Sequence, residues 1–391
     1  MAVVLPGGTI GILGGGQLGR MTALAARSLG YHIHVLDPDP ACAAGPVSDR
    51  VITASFADAA AAAELARGVD VVTMEIEKIA GASLEAASAH APVRPSRAVL
   101  EVVQHRGRQK DWLASHGFPV APYRTASTER ELFDALAEFH GIRFVKSSSG
   151  GYDGRGQLRV DEAVDERAAT AIWRELGAAH CVVEQGVALR DEISVMVARR
   201  PVGDCAVFPV ALNHHENQVL DWSVIPAPIP DDAAAQARAI ALRIATELDV
   251  IGLLAVEMFR LADGSILVNE LAPRPHNTFH HTEQACLTSQ FEQLVRAVCD
   301  LPLGAVDLVQ PVALVNLFGD LWQNGRTPPF DDALRIPGVR LFLYGKEPRP
   351  GRKVGHLSAA ARSVDEAIAK ARMARAALEP DRGSRIADRG H

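Results

Sequence analysis

Residues 142–160 read Ile142-Arg143-Phe144-Val145-Lys146-Ser147-Ser148-Ser149-Gly150-Gly151-Tyr152-Asp153-Gly154-Arg155-Gly156-Gln157-Leu158-Arg159-Val160. Apolar, β-prone residues flank a serine- and glycine-rich loop on both sides, so the loop joins two strands. A P-loop instead runs from a strand into a helix. A glycine loop between strands is a flap, whose free N–H groups can fold over phosphates while a lysine on the incoming strand adds a point charge. A plain surface hairpin explains the glycines and serines. It leaves Lys146, Tyr152, Asp153 and Arg155 clustered without purpose.

Downstream, residues 253–271 read LLAVEMFRLADGSILVNEL. Asp263-Gly264 between two β-rich runs predicts a hairpin with a two-residue turn, which puts Glu257 directly opposite Glu270. Two carboxylates so placed repel by about 4 kcal/mol at an effective dielectric near 20, so a compensating charge is expected. Hard oxygen ligands in this arrangement point to magnesium clamped against nucleotide phosphates. The chain then runs into Ala272-Pro273-Arg274-Pro275-His276-Asn277-Thr278-Phe279-His280-His281, where the prolines end the strand and project Arg274, His276 and Asn277 beside the carboxylates. His280 and His281 are adjacent, which suits one tetrahedral zinc site poorly, and no cysteine stands at ligand spacing.

Near the N-terminus, GILGGGQLGRM (residues 11–21) carries G-x-G-x-x-G at Gly14, Gly16 and Gly19. A strand precedes it, a helix follows, and Asp37 lies 18 residues past Gly19 at the end of the next predicted strand. An NAD-dependent oxidoreductase is therefore a reading to test, although the motif speaks for phosphate more firmly than for nicotinamide. A third positive cluster, Tyr344 to His356 (YGKEPRPGRKVGH), holds Lys346, Arg349, Arg352 and Lys353. It can grip an anion or stand as a solvated basic turn.

The 391 residues allow two to three domains. Strands are predicted over 9–14, 31–37 and 69–77 with a helix after the first, a βαβ pattern with a parallel sheet. From residue 98 the pattern changes to paired strands interspersed with helices such as 231–248, and past residue 304 two strands and a helix form a smaller unit. The expected division is 1–97, 98–304 and 305–380, with 381–391 a frayed polar tail. The composition, 48% hydrophobic and 22% charged, is that of a soluble globular chain, and no apolar run approaches a membrane span. No secretory leader is evident. Five cysteines without C-x-x-C predict reduced, buried thiols in a cytoplasmic protein. A net charge of −7 argues against nucleic acid as a partner.

The flap preceded by lysine, followed by a two-carboxylate hairpin ending in Asn-Glu, resembles the ATP-grasp superfamily. GGGQLGRM, GGYDGRGQ, VEQG, NELAPRPHN, TSQFEQLVRAV and PGRKVGHL, in that order, resemble the 5-(carboxyamino)imidazole ribonucleotide synthase family more specifically. The resemblance implies an α/β and α+β architecture: an ATP-grasp fold with an N-terminal Rossmann-like (pre-ATP-grasp) domain and a small C-terminal domain. It implies ATP- and bicarbonate-dependent carboxylation of 5-aminoimidazole ribonucleotide by a homodimer, through carboxyphosphate, with magnesium. ATP would be bound by Arg106, Lys146, the flap residues Gly151, Tyr152, Asp153, Gly154, Arg155, Gly156 and Gln157, the hinge Glu184, Gln185, Gly186 and Val187, and by Glu192, His215, Asn269 and Glu270. His214 competes with His215 for its place. Glu257 and Glu270 would hold magnesium. The ribonucleotide and the incoming carboxyl group would be held by Gln17, Leu18, Glu75, Tyr152, Arg155, Arg274, His276, Asn277, Lys346, Arg352 and Lys353. Lys146 would act on the phosphates, Arg274 would orient bicarbonate and Asp153 would accept a proton. On this reading the first glycine loop cradles substrate, not NAD.

Two departures from the family pattern are expected to matter. Met74 and Ile76 replace aromatic residues around Glu75 and Glu77. Thr278-Phe279 replaces Ser-Gly, so that Phe279 is expected to narrow the pocket. The nearest rival is another ATP-grasp ligase, such as formate-dependent glycinamide ribonucleotide transformylase, which tends to a shorter flap. A non-catalytic ATP sensor is disfavoured because both carboxylates remain.

Overall fold

The computed structural model describes residues 3–149, 156–216, 218–322 and 325–379. The expected frayed tail and the flap residues Gly151, Tyr152, Asp153, Gly154 and Arg155 lie outside them. No helix among the described residues is long and apolar enough to cross a membrane.

The N-terminal portion is a four-stranded parallel sheet in the order Arg50–Thr53, His32–Asp37, Thr9–Leu13, Val71–Met74. Its two inner strands are almost continuously buried, as parallel strands covered on both faces must be. Arg50–Thr53, a half-exposed edge strand of four residues, went unpredicted; so short a run carries too little alternation to read. The helix Gln17–Ser28 follows the first strand and buries Leu18, Met21, Ala23 and Ala26. Leu18 and Met21 pack on Phe291 and Tyr344, so distant parts of the chain meet at this helix.

The second sheet runs Ile266–Ala272, Gly252–Leu261, Leu189–Arg199, Ala211–Glu216, Val219–Ile225, Val312–Phe318, Lys353–Ala360, Val339–Leu343. Its pairs are antiparallel, and Cys205–Val207 joins it beside Leu189–Arg199. The C-terminal strands thus continue the sheet that carries the carboxylate hairpin. Val364–Ala376 covers them, started by Ser363, whose hydroxyl accepts from the Glu366 N–H.

A third, antiparallel sheet has the order Tyr123–Ala126, Cys181–Gln185, Arg143–Ser147, Gln157–Val160. The glycine flap connects its last two strands, with Lys146 opposite Gln157 at its root. All five cysteines are free thiols; Cys205 is half-exposed, against the expectation that all five are buried, because it lies on a short three-residue strand beside a surface turn.

Candidate functional site

The carboxylate hairpin reaches the predicted pairing by an unpredicted route. Leu261 N–H donates to Ser265 O at 2.8 Å and Arg260 pairs with Ile266, so the connection is the three-residue loop Ala262-Asp263-Gly264. Gly264 closes it at φ 90°, a left-handed value that suits glycine. That loop shifts the register by one residue, and a β-bulge shifts it back. Met258 pairs with Val268 but Glu257 pairs with Glu270, leaving Asn269 as the extra residue. Glu257 and Glu270 therefore share a face, as expected, while the two-residue turn was wrong.

Protein side chains partner both carboxylates. Arg106 Nη1 lies 3.0 Å from Glu270 Oε2, and the Glu270 carboxylate is the main reason the guanidinium pKa is raised. His276 Nε2 lies 3.1 Å from Glu257 Oε1. Burial pushes the Glu257 carboxyl up, but the His276 hydrogen bond and the charges of His276, His215 and Arg274 outweigh it and hold the group well below the usual carboxylate range. Gln109 supports this arrangement from behind: its side-chain amide accepts from Leu271 N–H and donates to Leu271 O, next to Glu270.

Lys146 and Glu184 lie on adjacent antiparallel strands. Lys146 pairs with Val182, so Glu184 is the diagonal neighbour on the same face. Lys146 Nζ is 3.1 Å from Glu184 Oε2, and Lys110 Nζ is 3.4 Å from the same oxygen. Burial pushes Glu184 up, yet the two lysines together hold it at about 2. Lys110 is one helical turn beyond Arg106 on Arg106–Ser115, which brings both cations to one side. In the hinge, Gln185 spends its side chain on the His140 and Ile142 carbonyls, and a Cβ at Gly186 would fall 2.8 Å from Ile142 O. Nearby, His215 Nδ1 is 2.5 Å from Glu192 Oε2. Burial lowers the imidazole pKa, but the Glu192 hydrogen bond and charge raise it further than burial lowers it. His214 points to the other face and stacks on Trp222 at 5.1 Å, so His215 is the one of the pair that turns toward Glu192 and Glu257.

The first glycine loop is satisfied internally. Glu75 Oε1 accepts from Gly16 N–H at 2.6 Å and Oε2 from Gly19 N–H at 2.8 Å. Asp37 accepts from Gly15 N–H at 2.7 Å and from Asp39 N–H at 2.8 Å. The carboxylate that a dinucleotide ribose would need is thus committed to the backbone, and Glu75 occupies the anion position at the helix start. Gly14, at φ 104°, lets the chain turn under Glu75; a Cβ there would lie 2.5 Å from Glu75 Cγ. Leu18 has its side chain in the core.

Three parts of the chain converge on this loop. Lys346 donates to the Gln17 side-chain carbonyl, and burial lowers the Lys346 pKa. Arg274 Nε lies 2.7 Å from Glu77 Oε1. Burial lowers the Arg274 pKa, but Glu77 more than offsets it and the guanidinium stays charged. Gln290 grips the main chain of His276 at both ends, accepting from its N–H at 2.8 Å and donating to its carbonyl at 3.0 Å. Asn277 has a buried side-chain nitrogen with no partner among the described residues. Arg352 donates to Glu347 O at 3.2 Å, and Lys353 begins the strand that pairs with Val312–Phe318. Arg349 forms an exposed pair with Glu347 at 2.5 Å.

The two sequence departures land in the core. Phe279 is fully buried with its ring 6.2 Å from Phe208, so it does not narrow a pocket. Met74 is buried in the N-terminal core. Thr278 keeps a hydroxyl, 2.9 Å from His276 Nδ1. His280 and His281 enter different clusters: His280 stacks on His356 at 4.7 Å, while His281 Nε2 meets Ser223 Oγ at 3.3 Å.

Among the described residues no three His, Cys, Asp or Glu side chains gather as a metal cage. The Glu257 and Glu270 pair still fits magnesium, which keeps several waters and takes one or two protein carboxylates plus substrate phosphates. Sequence reasoning missed Lys110, Gln109 and the pairing of Glu77 with Arg274; each acts on a residue far away in the chain, where no local pattern signals it.

Three family models match consecutive parts of the chain: a ribonucleotide synthetase preATP-grasp domain over residues 8–104, an ATP-grasp domain over 111–291, and a phosphoribosylaminoimidazole carboxylase C-terminal domain over 312–370. The N5-carboxyaminoimidazole ribonucleotide synthase of Bacillus subtilis is 40% identical over 367 residues, covering 94% of this chain and 95% of its own. A crystal structure of an N5-carboxyaminoimidazole ribonucleotide synthetase with ADP superposes with a TM-score of 0.89 at 41% identity, covering 96% of this chain and 98% of its own. The Aspergillus clavatus enzyme, solved with ADP and 5-aminoimidazole ribonucleotide, gives 0.84 at 30% identity, with 95% and 98% covered.

Proposed function

This chain belongs to the N5-carboxyaminoimidazole ribonucleotide synthase family, and from that premise we propose that it uses ATP and bicarbonate to carboxylate 5-aminoimidazole ribonucleotide in purine synthesis. The observation that carries the reading is the facing pair Glu257 and Glu270 with Arg106 on Glu270, together with Lys146 at the flap root. Arg106, Lys146, Glu192, His215, Asn269 and the hinge 184–187 surround the nucleotide.

Glu257 and Glu270 would hold magnesium, which would neutralise charge on the phosphate oxygens. Lys146 adds its ammonium to the same oxygens as a bicarbonate oxygen attacks the γ-phosphorus and ADP leaves. Arg274, fixed by Glu77, orients the bicarbonate. The exocyclic amine then attacks the carboxyl carbon of carboxyphosphate, phosphate departs, and the amine proton passes to Asp153. Gln17, Glu75, Tyr152, Arg155, His276, Asn277, Lys346, Arg352 and Lys353 hold the ribonucleotide, with the main chain of Leu18. Carboxyphosphate hydrolyses readily, so the glycine flap closes before chemistry to exclude water. The enzyme works as a cytoplasmic homodimer.

The test is ADP release with bicarbonate plus 5-aminoimidazole ribonucleotide, with formate plus glycinamide ribonucleotide, and with no acceptor, beside an NADH absorbance control. Turnover is expected with the first pair alone. Turnover with formate and glycinamide ribonucleotide instead would overturn the substrate assignment.

A further inference from the structure

Lys110 has no part in the roles given above, yet its side chain is 3% exposed and its ammonium reaches the same Glu184 oxygen as Lys146. Two buried lysines on one carboxylate oxygen are one cation more than that carboxylate alone needs; Arg106, paired with Glu270, adds a positive field on Glu184, and Glu270 in turn acts on Lys110. The two ammonium groups repel each other; burial first, and the Lys146 charge beside it, lower the Lys110 pKa. Lys146 sits on Arg143–Ser147 at the root of the flap, whereas Lys110 is fixed on the helix Arg106–Ser115.

We propose that Lys110 is a positioning residue that keeps Glu184 neutralised when Lys146 leaves it for the phosphates of the bound nucleotide. The inference rests on the nucleotide role of Lys146 given under Proposed function. With Lys146 as the sole partner, ATP binding would have to break a buried ion pair and strand a carboxylate, which is strongly unfavourable. With Lys110 present, the departure of Lys146 leaves one cation on one anion and relieves the repulsion between the lysines. The excess charge at Glu184 is thus held in reserve for the nucleotide.

The test is ATP affinity by calorimetry for the wild type, Lys146→Met, Lys110→Met, Glu184→Gln and the double variant Lys110→Met with Glu184→Gln. Lys110→Met is expected to weaken ATP by about tenfold or more, because Lys146 is then tied to Glu184. Once Glu184 is neutral, loss of Lys110 should matter little, so Glu184→Gln and the double variant should agree within about threefold. A merely structural lysine would not be rescued in this way. Tenfold weaker binding by the double variant than by Glu184→Gln overturns the proposal, and so does wild-type affinity in Lys110→Met. Should Lys110→Met fail to fold, the comparison between Glu184→Gln and the double variant still decides. Wild-type affinity in Lys146→Met would instead overturn the nucleotide role of Lys146, a separate failure.

Discussion

Glu257 and Glu270 face each other across a bulged hairpin, and each has its own partner, His276 and Arg106 respectively. Replacing Glu270 with alanine removes one oxygen ligand and the carboxylate partner of Arg106. ADP release should fall by about 10³-fold or more, with circular dichroism unchanged, because charge stabilisation at the transferred phosphoryl group is the main source of rate. Near-normal ADP release from a folded Glu270→Ala variant would refute the metal role.

Glu75 holds two N–H groups of the first glycine loop. Glu75→Ala orphans both and should cost about 1–3 kcal/mol in urea unfolding. Glu75→Gln should do little better, because its amide turns an NH2 donor toward an N–H. Both variants should raise KM for the ribonucleotide more than KM for ATP. An unchanged ribonucleotide KM in either would separate this loop from substrate.

Phe279 is fully buried, its ring in the core against Phe208. Phe279→Ala should therefore destabilise the protein by about 3–5 kcal/mol. The ribonucleotide KM of the surviving folded enzyme should stay within about twofold, since no pocket is widened. A large drop in KM at full stability would contradict the placement.

Glu283, on the short helix Thr282–Ala285, is raised from 4.5 to about 7 because burial disfavours its charged form and Arg340 offsets only part of that. Between those values the folded protein binds more protons than the unfolded chain, so stability falls as pH rises through that window. Glu283→Gln has no charge to bury. Relative to it, the wild type should lose about 1–3 kcal/mol between pH 5 and pH 8. Parallel pH profiles for the two proteins would rule this out.

The strand calling cards were local and legible: Asp263-Gly264 between β-rich runs, and a serine and glycine flap after Lys146. The facing of Glu257 and Glu270 was also legible, but through two offsetting features. The three-residue loop and the bulge at Asn269 each move the register by one, and a bulge depends on the twist of the neighbouring strands, which the linear chain does not display. What stayed hidden is long-range. Lys110 meets Glu184 across 74 positions and Lys346 meets Gln17 across 329. The first loop shows the limit of motif reading: its glycine spacing and Asp37 match a dinucleotide fingerprint, but Asp37 and Glu75 bind the loop's own backbone. Phe279 was misjudged because its position beside His276 says nothing about which side of the strand end its ring enters.

Val312–Phe318 is hydrogen-bonded to Val219–Ile225 on one side and to Lys353–Ala360 on the other. The C-terminal part of the chain, from about residue 305 on, is therefore no detachable cassette. A fragment starting near residue 305 would carry a long, apolar, unzipped strand edge and would be prone to self-association, while the remaining piece would bear the matching raw edge. Swapping this region between relatives would succeed only if the recipient supplies a strand that can be stitched to the incoming one.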